Sequence, residues 1–293
     1  MAFENLSPVS DSVIAQIDLL NEQCLGHAIK VHSRENGMPE LKGVNIAILG
    51  VRESRGSVNH IENSIDFSAI RRAFYSLYPG NWHTVISDLG DLQPGESSSD
   101  TYYALKEIVT ELVKKNIVPV ILGGSQDLTY AIYRAYDGLD QMVNLVNIDG
   151  HFDLGNSSLP ITNKSFVGKI IVDQPYNLFN YSNIGYQTYY NSQEEIDLME
   201  KLYFDSFRLG SLTSELTAVE PVMRDADVVS LDLTALQSET LGFMHPAHVN
   251  GFNGREICAI ARYAGLSDRV SVFGIFEYIL QAKNETGAAL IAQ

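Results

Sequence analysis

The sequence predicts an α/β fold with a mainly parallel central sheet, and three observations support this prediction. The 293 residues are 45% hydrophobic and include only nine prolines, which is enough apolar material for the core of one large domain. Short runs rich in Val, Ile and Leu recur along the chain, and longer segments with helical spacing of apolar residues separate them. Strands that alternate with helices are typical of a parallel sheet with crossover helices.

The predicted strands are apolar runs, and several of them lack any polar alternation. Such runs are typical of strands that helices cover on both faces of a sheet. In chain order the predicted strands lie within 43–51, 84–92, 117–124, 142–150, 227–236 and 269–278.

The predicted helices have apolar residues three to four positions apart, and some of them end at Gly. They cover 100–116, 126–138, 192–206 and 254–265. The clearest loop is "QPGESSSD" at 93–100, and we find no internal repeat and no linker. We therefore expect a single domain.

Charge and composition exclude several classes of partner. The formal net charge of −16 and the pI near 4.7 repel phosphate backbones and anionic lipid, so we expect neither nucleic acid nor a membrane as a partner. The segment "MAFENLSPVSDSVIAQ" has no basic start followed by an apolar core, and no apolar run approaches about 18 residues. Cys24 and Cys258 lie far apart in the sequence, so we expect neither a disulfide framework nor a zinc site but two buried thiols. We expect a cytoplasmic protein.

A short acidic motif follows one of the predicted strands. In "LVNIDGHFDLG" (145–155), Asp149, His151 and Asp153 occupy every second position. Alternate residues of an extended segment point the same way, so these side chains can converge at the end of the strand. Two carboxylates and an imidazole suit a divalent cation. Charged residues also occur where a chain simply returns to the surface, so this motif alone leaves both interpretations open.

Polar residues also follow the other predicted strands. In an open parallel sheet, ligand groups gather at the carboxyl ends of the strands. At these positions the sequence has Gln126 after a Gly pair, Asp232 and Thr234 in "VVSLDLTAL", and Glu277 in "FGIFEY". The acidic motif and these strand-end residues are therefore candidates for one shared site.

Taken together, these stretches resemble the motifs of the arginase, agmatinase and formimidoylglutamase superfamily, the ureohydrolases. Members of that family have G-G-[DN]-H, D-A-H-x-D, S-x-D-x-D-x-x-D-P and a Glu in E-x-N-P, in this order. The corresponding segments here are "GGSQ" (123–126), "DGHFD" (149–153), "SLDLTALQS" (230–238) and "EYIL" (277–280). Their order, spacing and strand-end context agree from about residue 45 onward, which is more specific than any single motif.

The resemblance implies a fold and an activity. It implies a three-layer α/β/α arrangement, with 1–293 as one ureohydrolase-like domain in which residues 1–42 form a helical N-terminal extension. It also implies two manganese ions bridged by a hydroxide, which attacks a guanidinium or formimino carbon and splits a C–N bond. The implied enzyme is a hydrolase of linear amidines. Its partners would be a small amidine or amino-acid-like ligand and further copies of the chain in a homo-oligomer.

The metal positions implied by the resemblance are only partly retained. Residues that match the ligands of the family are Asp149, His151, Asp153 and Asp232. Gln126 stands where the family has a histidine, and Thr234 stands where it has an aspartate. Because a neutral amide oxygen and a hydroxyl are poor replacements, each ion loses a good ligand. We therefore expect at most one divalent ion, manganese, or none.

Candidate substrate-binding residues also depart from the family pattern. The family often has a histidine or serine in a segment such as S-H-G-T or S-G-T-P-F, whereas the corresponding loop 158–170 here has Asn163, Lys164 and Ser165 and no histidine. We take Asn163 as a substrate-binding candidate. Glu277 matches the family glutamate that faces the cationic nitrogen of the substrate, although it could equally cap a nearby helix.

Two functions follow from these departures. The ligand count favours an arginase-superfamily protein with a degenerate metal site that has lost the reaction and acts as a binding or assembly partner. The alternative is an active amidine hydrolase of the formimidoylglutamase, agmatinase or arginase type with a reduced metal site. If no ion is bound, neighbouring carboxylates repel each other, so at least one should have a raised pKa or pair with protonated His151.

Overall fold

The computed structural model describes residues 2–58, 65–242, 248–278 and 285–293. The strands in these ranges are β1 (Leu6–Ser7), β2 (Lys30–Val31), β3 (Ile46–Val51), β4 (Ile86–Leu92), β5 (Val118–Gly123), β6 (Val143–Ile148), β7 (Leu178–Tyr186), β8 (Asp205–Arg208), β9 (Val228–Asp232) and β10 (Val272–Phe276). The helices are α1 (Asp11–Ile17), α2 (Leu25–Ala28), α3 (Ser68–Tyr75), α4 (Ser98–Lys114), α5 (Leu128–Arg134), α6 (Phe166–Val172), α7 (Gln193–Lys201), α8 (Leu209–Leu212), α9 (Glu220–Asp225), α10 (Ser238–Leu241), α11 (Gly254–Leu266) and α12 (Glu285–Ala292).

The strands form one sheet in the order β1-β4-β3-β5-β10-β9-β6-β7-β8, and β2 also pairs with β4. The short strand β1 runs antiparallel to β4, and the other described pairs are parallel. Each predicted strand contains one of β3, β4, β5, β6, β9 and β10. The predicted α/β fold with a mainly parallel central sheet is therefore confirmed.

Apolar residues cover both faces of the sheet. Successive residues of β3 point to opposite faces, so that Leu49 joins one apolar cluster and Ile48 joins the other. The first cluster includes Leu105 of α4, and the second includes Ile260 of α11. Helices thus pack on both sides, which gives the three-layer α/β/α arrangement that the resemblance implies.

The ends of the longer helices follow from local sequence. Capping boxes begin α4, α7 and α11. In each of them two residues exchange hydrogen bonds between their side chains and backbone N–H groups. The pairs are Ser97 and Asp100, Ser192 and Glu195, and Asn253 and Glu256. The prediction of a helix through residue 206 is wrong. Tyr203 has a left-handed φ of 56°, so the chain leaves α7 and enters the edge strand β8.

The N-terminal segment contains strands as well as helices. Here β1 and β2 both pair with β4, and α1 and α2 lie between them in sequence. Val13 and Ile29 pack with Tyr75 of α3 in a small apolar cluster. The division of the chain at residue 42 stays a prediction. Within the described ranges, no helix has the length and apolar character needed to cross a membrane.

Candidate functional site

The candidate site lies where the neighbouring strands β5, β10, β9 and β6 end. Asp232 is the last residue of β9, Asp149 and Glu277 directly follow β6 and β10, and Gln126 lies three residues beyond β5. All four side chains are buried. Because these strands are parallel, their carboxyl ends meet at one edge of the sheet. The structure thus brings together residues from four separate parts of the sequence.

The acidic motif reaches this edge through a turn. The sequence suggests an extended strand end from Asp149 to Asp153, but β6 ends at Ile148 and Asp153 has a left-handed φ of 55°. The backbone N–H of His151 donates to Asp149 Oδ1 at 2.9 Å, and the ring Nδ1 of His151 lies 3.5 Å from the same oxygen. The side chains therefore converge, but by a turn stabilised by Asp149 and not by strand alternation.

Lys164 brings a positive charge into the acidic motif. Its Nζ lies 3.2 Å from His151 Nδ1 and 3.5 Å from Asp153 Oδ1. The imidazole also stacks on Tyr190 with ring centroids 5.0 Å apart. A side-chain cation therefore lies against two of the predicted metal ligands.

Gln126 acts as a hydrogen-bond donor to carboxylates. The hydrogen-bonding pattern orients its amide nitrogen toward Asp149 Oδ2 at 2.9 Å and Asp232 Oδ2 at 3.3 Å, and its oxygen then accepts from Ser230 Oγ at 3.3 Å. A histidine at this position would offer a lone pair to an ion. The amide instead places N–H groups between two carboxylates, which is the opposite chemical role.

At Thr234, the backbone and not the side chain supplies a hydrogen-bond donor to Asp232. The backbone N–H of Thr234 donates to Asp232 Oδ1 at 2.6 Å. Both oxygens of Asp232 are thus engaged by protein donors when Gln126 has the orientation described above. Among the described residues, Asp153 Oδ1 is a buried oxygen without a hydrogen-bond partner, and the Lys164 ammonium is 3.5 Å from it.

The carboxyl groups differ strongly in pKa. Burial raises the pKa of Asp153 and of Asp232 well above the usual range, and the charge of Asp149 raises both further. Burial also acts to raise the pKa of Asp149, but the Lys164 ammonium and the contacts to His151 and Asp153 outweigh it and hold that pKa well below the usual range. Raised values are expected where carboxylates repel each other.

The two predicted substrate-binding residues contact the protein's own loops. Burial raises the pKa of Glu277, whose Oε2 accepts from Ser57 Oγ at 3.0 Å. Asn163 Oδ1 accepts from the backbone N–H of Val58 at 3.1 Å, so this side chain holds the loop near Gly56. A role in substrate binding stays a prediction for both residues. Residues 279–280 of the "EYIL" segment lie outside the described residues.

The donor set does not fit a pair of divalent ions. The Gln126 amide and the Thr234 backbone donate to carboxylate oxygens that an ion would need, and the Lys164 ammonium lies 3.2 Å from His151 Nδ1. In the part of the chain that the structure describes, no group of three or more His, Cys, Asp or Glu side chains is arranged to hold a metal ion. Two neighbouring cations need more anionic ligands than remain here.

Sequence reasoning missed the role of Lys164. The sequence places Lys164 in the loop 158–170, but it predicts Asn163 as the substrate-binding residue of that loop. A usable signal was present, because several buried carboxylates predicted to share one site require a cation or protons. Polar residues inside apolar strands were a second signal, since Asn147 and Ser230 lie within β6 and β9 and contact Gln126.

Comparisons with known proteins agree with this architecture. The formimidoylglutamase of Photorhabdus laumondii is 24% identical over 180 residues, which are 57% of this chain and 56% of that protein. The crystal structure of Trypanosoma cruzi formiminoglutamase with Mn²⁺ has a TM-score of 0.74 at 17% identity, covering 86% of this chain and 91% of the other. Bacillus subtilis formimidoylglutamase has a TM-score of 0.74 at 18% identity, covering 85% and 84%.

These likenesses differ in what they establish. The structural matches show the fold, and the sequence match spans little more than half of the curated relative. A model of the arginase family, by contrast, matches residues 44–291, which include every strand-end residue of the candidate site. This protein therefore belongs to the arginase family.

Proposed function

We propose that this protein is an arginase-family member with a degenerate metal site that does not hydrolyse guanidino or formimino C–N bonds, and that it acts as a binding or assembly protein. The observation that carries the proposal is the position of Lys164, whose ammonium lies 3.2 Å from His151 Nδ1. The amide of Gln126 supports it, because its N–H groups face Asp149 and Asp232.

The chemistry of the reaction explains why these contacts matter. Two divalent ions can share a hydroxide and lower the pKa of the water that forms it. An ammonium can donate hydrogen bonds but cannot accept a lone pair from water, so Lys164 supplies charge without supplying a nucleophile. At most one manganese ion is expected beside it.

The alternative is an active amidine hydrolase with a reduced metal site. The named relatives are formimidoylglutamases, and Asp153 Oδ1 has no hydrogen-bond partner among the described residues. A single ion bound near Asp153 would use that oxygen. This alternative requires Lys164 to move away from His151 first.

Ligand, assembly and location follow as further parts of the proposal. Glu277 and the carboxylates suit a small cationic ligand, such as an amidine or an amino-acid-like molecule. We expect a homo-oligomer, which light scattering of the purified protein measures directly. Nucleic acid is not expected as a partner of a chain with a net charge of −16. A cytoplasmic location and the absence of a membrane partner stay predictions.

Metal content and turnover test the proposal together. Protein purified after growth with added manganese is analysed for metals, and formimidoylglutamate, arginine and agmatine are assayed with excess Mn²⁺. We expect at most one manganese per chain and no turnover above the buffer rate, while an active formimidoylglutamase serves as the positive control. Two manganese ions per chain with turnover would refute the proposal, and one ion with turnover would establish the alternative.

A further inference from the structure

The Lys164 ammonium lies against the acidic motif. It is within 3.5 Å of His151 Nδ1 and of Asp153 Oδ1, and these are groups that the sequence alone singles out as ligands of a divalent ion. Asp149, which contacts both residues, is completely buried. A single positive charge therefore lies against a cluster of buried carboxylates.

Backbone hydrogen bonds hold the loop that carries Lys164 on both sides of the lysine. Asn163 donates its backbone N–H to the Gly56 carbonyl at 3.0 Å, and Gly155 donates its own to the Lys164 carbonyl at 3.1 Å. Thr162 and Ser165 close a turn around the lysine, with the Ser165 N–H donating to the Thr162 carbonyl at 3.0 Å. These contacts fix the backbone from which the side chain reaches the acidic motif.

A second lysine in the same region provides a comparison. The side chains of Lys164 and Lys169 are both 29% exposed, and both lie 3.5 Å from an aspartate oxygen. The partner of Lys169, Asp173, is 27% exposed, whereas Asp153 is fully buried. Water can replace Lys169 as a partner of its aspartate, but it cannot replace Lys164 in the same way.

We propose that Lys164 is the permanent cation of this site. Its ammonium takes the place of a divalent ion, and it stabilises the site by pairing with the acidic motif. The inference rests on the proposed loss of the metal pair and names the group that replaced it. The fold then needs no metal, because the cation is part of the chain.

Lys164 and a metal ion exclude each other at this position. A divalent ion binds an imidazole nitrogen at about 2 Å, and the Lys164 ammonium lies only 3.2 Å from His151 Nδ1. Two cations so close together would also repel each other strongly. Removal of the ammonium and of its side chain should therefore create room and charge for one ion.

Two substitutions separate the charge of Lys164 from its bulk. Lys164→Met keeps a long side chain without charge, and Lys164→Ala also opens space. In EDTA both variants should melt about 5 °C or more below the wild type, because a buried charge cluster loses its partner. Excess Mn²⁺ should raise the melting temperature of Lys164→Ala but leave that of the wild type unchanged. The matched controls Lys169→Met and Lys169→Ala should behave like the wild type.

The outcomes are decisive even if a variant folds poorly. When Lys164→Ala is recovered only in low yield, refolding with and without Mn²⁺ replaces the melting experiment, and a yield that rises with Mn²⁺ supports the inference. A yield or melting temperature that Mn²⁺ does not change would overturn it, as would a Lys164→Met variant as stable as Lys169→Met. Turnover by the wild-type protein would instead refute the proposed function, so the two failures are distinguishable.

Discussion

The backbone N–H of Gln126 donates to Glu277 Oε1 at 2.9 Å and so connects the ends of the neighbouring strands β5 and β10. Glu277 has a left-handed φ of 57°, a conformation that is rare outside glycine. Gln126 lies two residues before α5, so this contact resembles the helix-capping role that the sequence left open for Glu277. The carboxylate is satisfied by the protein itself.

We predict that removal of this carboxylate is costly but that its replacement by an amide is not. Glu277→Ala leaves the buried Gln126 N–H without its acceptor and should lower the free energy of unfolding by about 1–3 kcal/mol. Glu277→Gln keeps an oxygen for that N–H and removes a buried acid, so its stability should match the wild type within about 0.5 kcal/mol. Denaturant unfolding measures both values. Equal losses in the two variants would contradict this account.

The strands could be predicted where burial of both faces makes the sequence continuously apolar. The runs that became β3, β5 and β10 are apolar on both faces, because helices cover them on both sides. The strand β7 was not predicted, since Asn180, Ser182 and Asn183 interrupt its apolar pattern. These residues contact neighbouring loops and β8, and contacts between distant segments are invisible in local periodicity.

The site was predictable to the extent that it lies at strand ends. Asp149, Asp232 and Glu277 were found because parallel strands bring their carboxyl ends to one edge. The turn at Asp153 was missed because its left-handed φ depends on tertiary contacts, such as the Gly168 N–H that donates to its carbonyl at 3.3 Å. Lys164 was missed because only the packing of its loop directs it to the acidic motif.

The pairing of Glu53 with Arg55 should make stability depend on pH. Burial favours the neutral acid, but hydrogen bonds from Arg55 and Thr101 outweigh it and lower the pKa of Glu53. A lowered pKa contributes stability above the pKa of the unfolded chain, and that contribution is lost as the pH falls through the folded value. Glu53→Gln should therefore lose about 1–3 kcal/mol at pH 7, and this loss should shrink progressively as the pH falls below about 4 and through the lowered pKa of Glu53.

An exposed pair of the same type provides the control for Glu53. Glu220 and Arg224 lie 2.7 Å apart on the surface, and an exposed pair contributes little to stability. Glu220→Gln should change the free energy of unfolding by less than about 0.5 kcal/mol at either pH. A loss at Glu53→Gln that persists unchanged in acid would show that its ionisation is not the cause.

The close approach of Gly155 to the lysine loop should not tolerate a side chain. A Cβ at Gly155 would lie 2.6 Å from the Lys164 carbonyl oxygen, so Gly155→Ala must displace the backbone that carries the ammonium. We expect a loss of about 1–3 kcal/mol in unfolding free energy. Gly138→Ala is the control, because nothing lies within 4 Å of its added Cβ. Equal stability of the two variants would mean that the loop shifts freely.

The last prediction concerns what would restore a metal pair. The sequence alone suggests two changes, Gln126→His and Thr234→Asp, which return an imidazole and a carboxylate. The structure adds Lys164→Ala, because the ammonium lies 3.2 Å from His151 Nδ1 and 3.5 Å from Asp153 Oδ1. The double variant should therefore gain little manganese. The triple variant should gain more manganese than the sum of the gains from the separate changes, because the two ions share ligands.

Manganese per chain, from elemental analysis, and the rise in melting temperature with Mn²⁺ measure this gain. Hydrolysis is not expected even from the triple variant, because the loop 158–170 has no histidine and does not match the family segments S-H-G-T or S-G-T-P-F. If the double variant binds as much manganese as the triple, then Lys164 does not compete with the ion. If the unmodified protein already binds two ions per chain, Gln126 and Thr234 are adequate ligands, and the changes at those positions should add nothing.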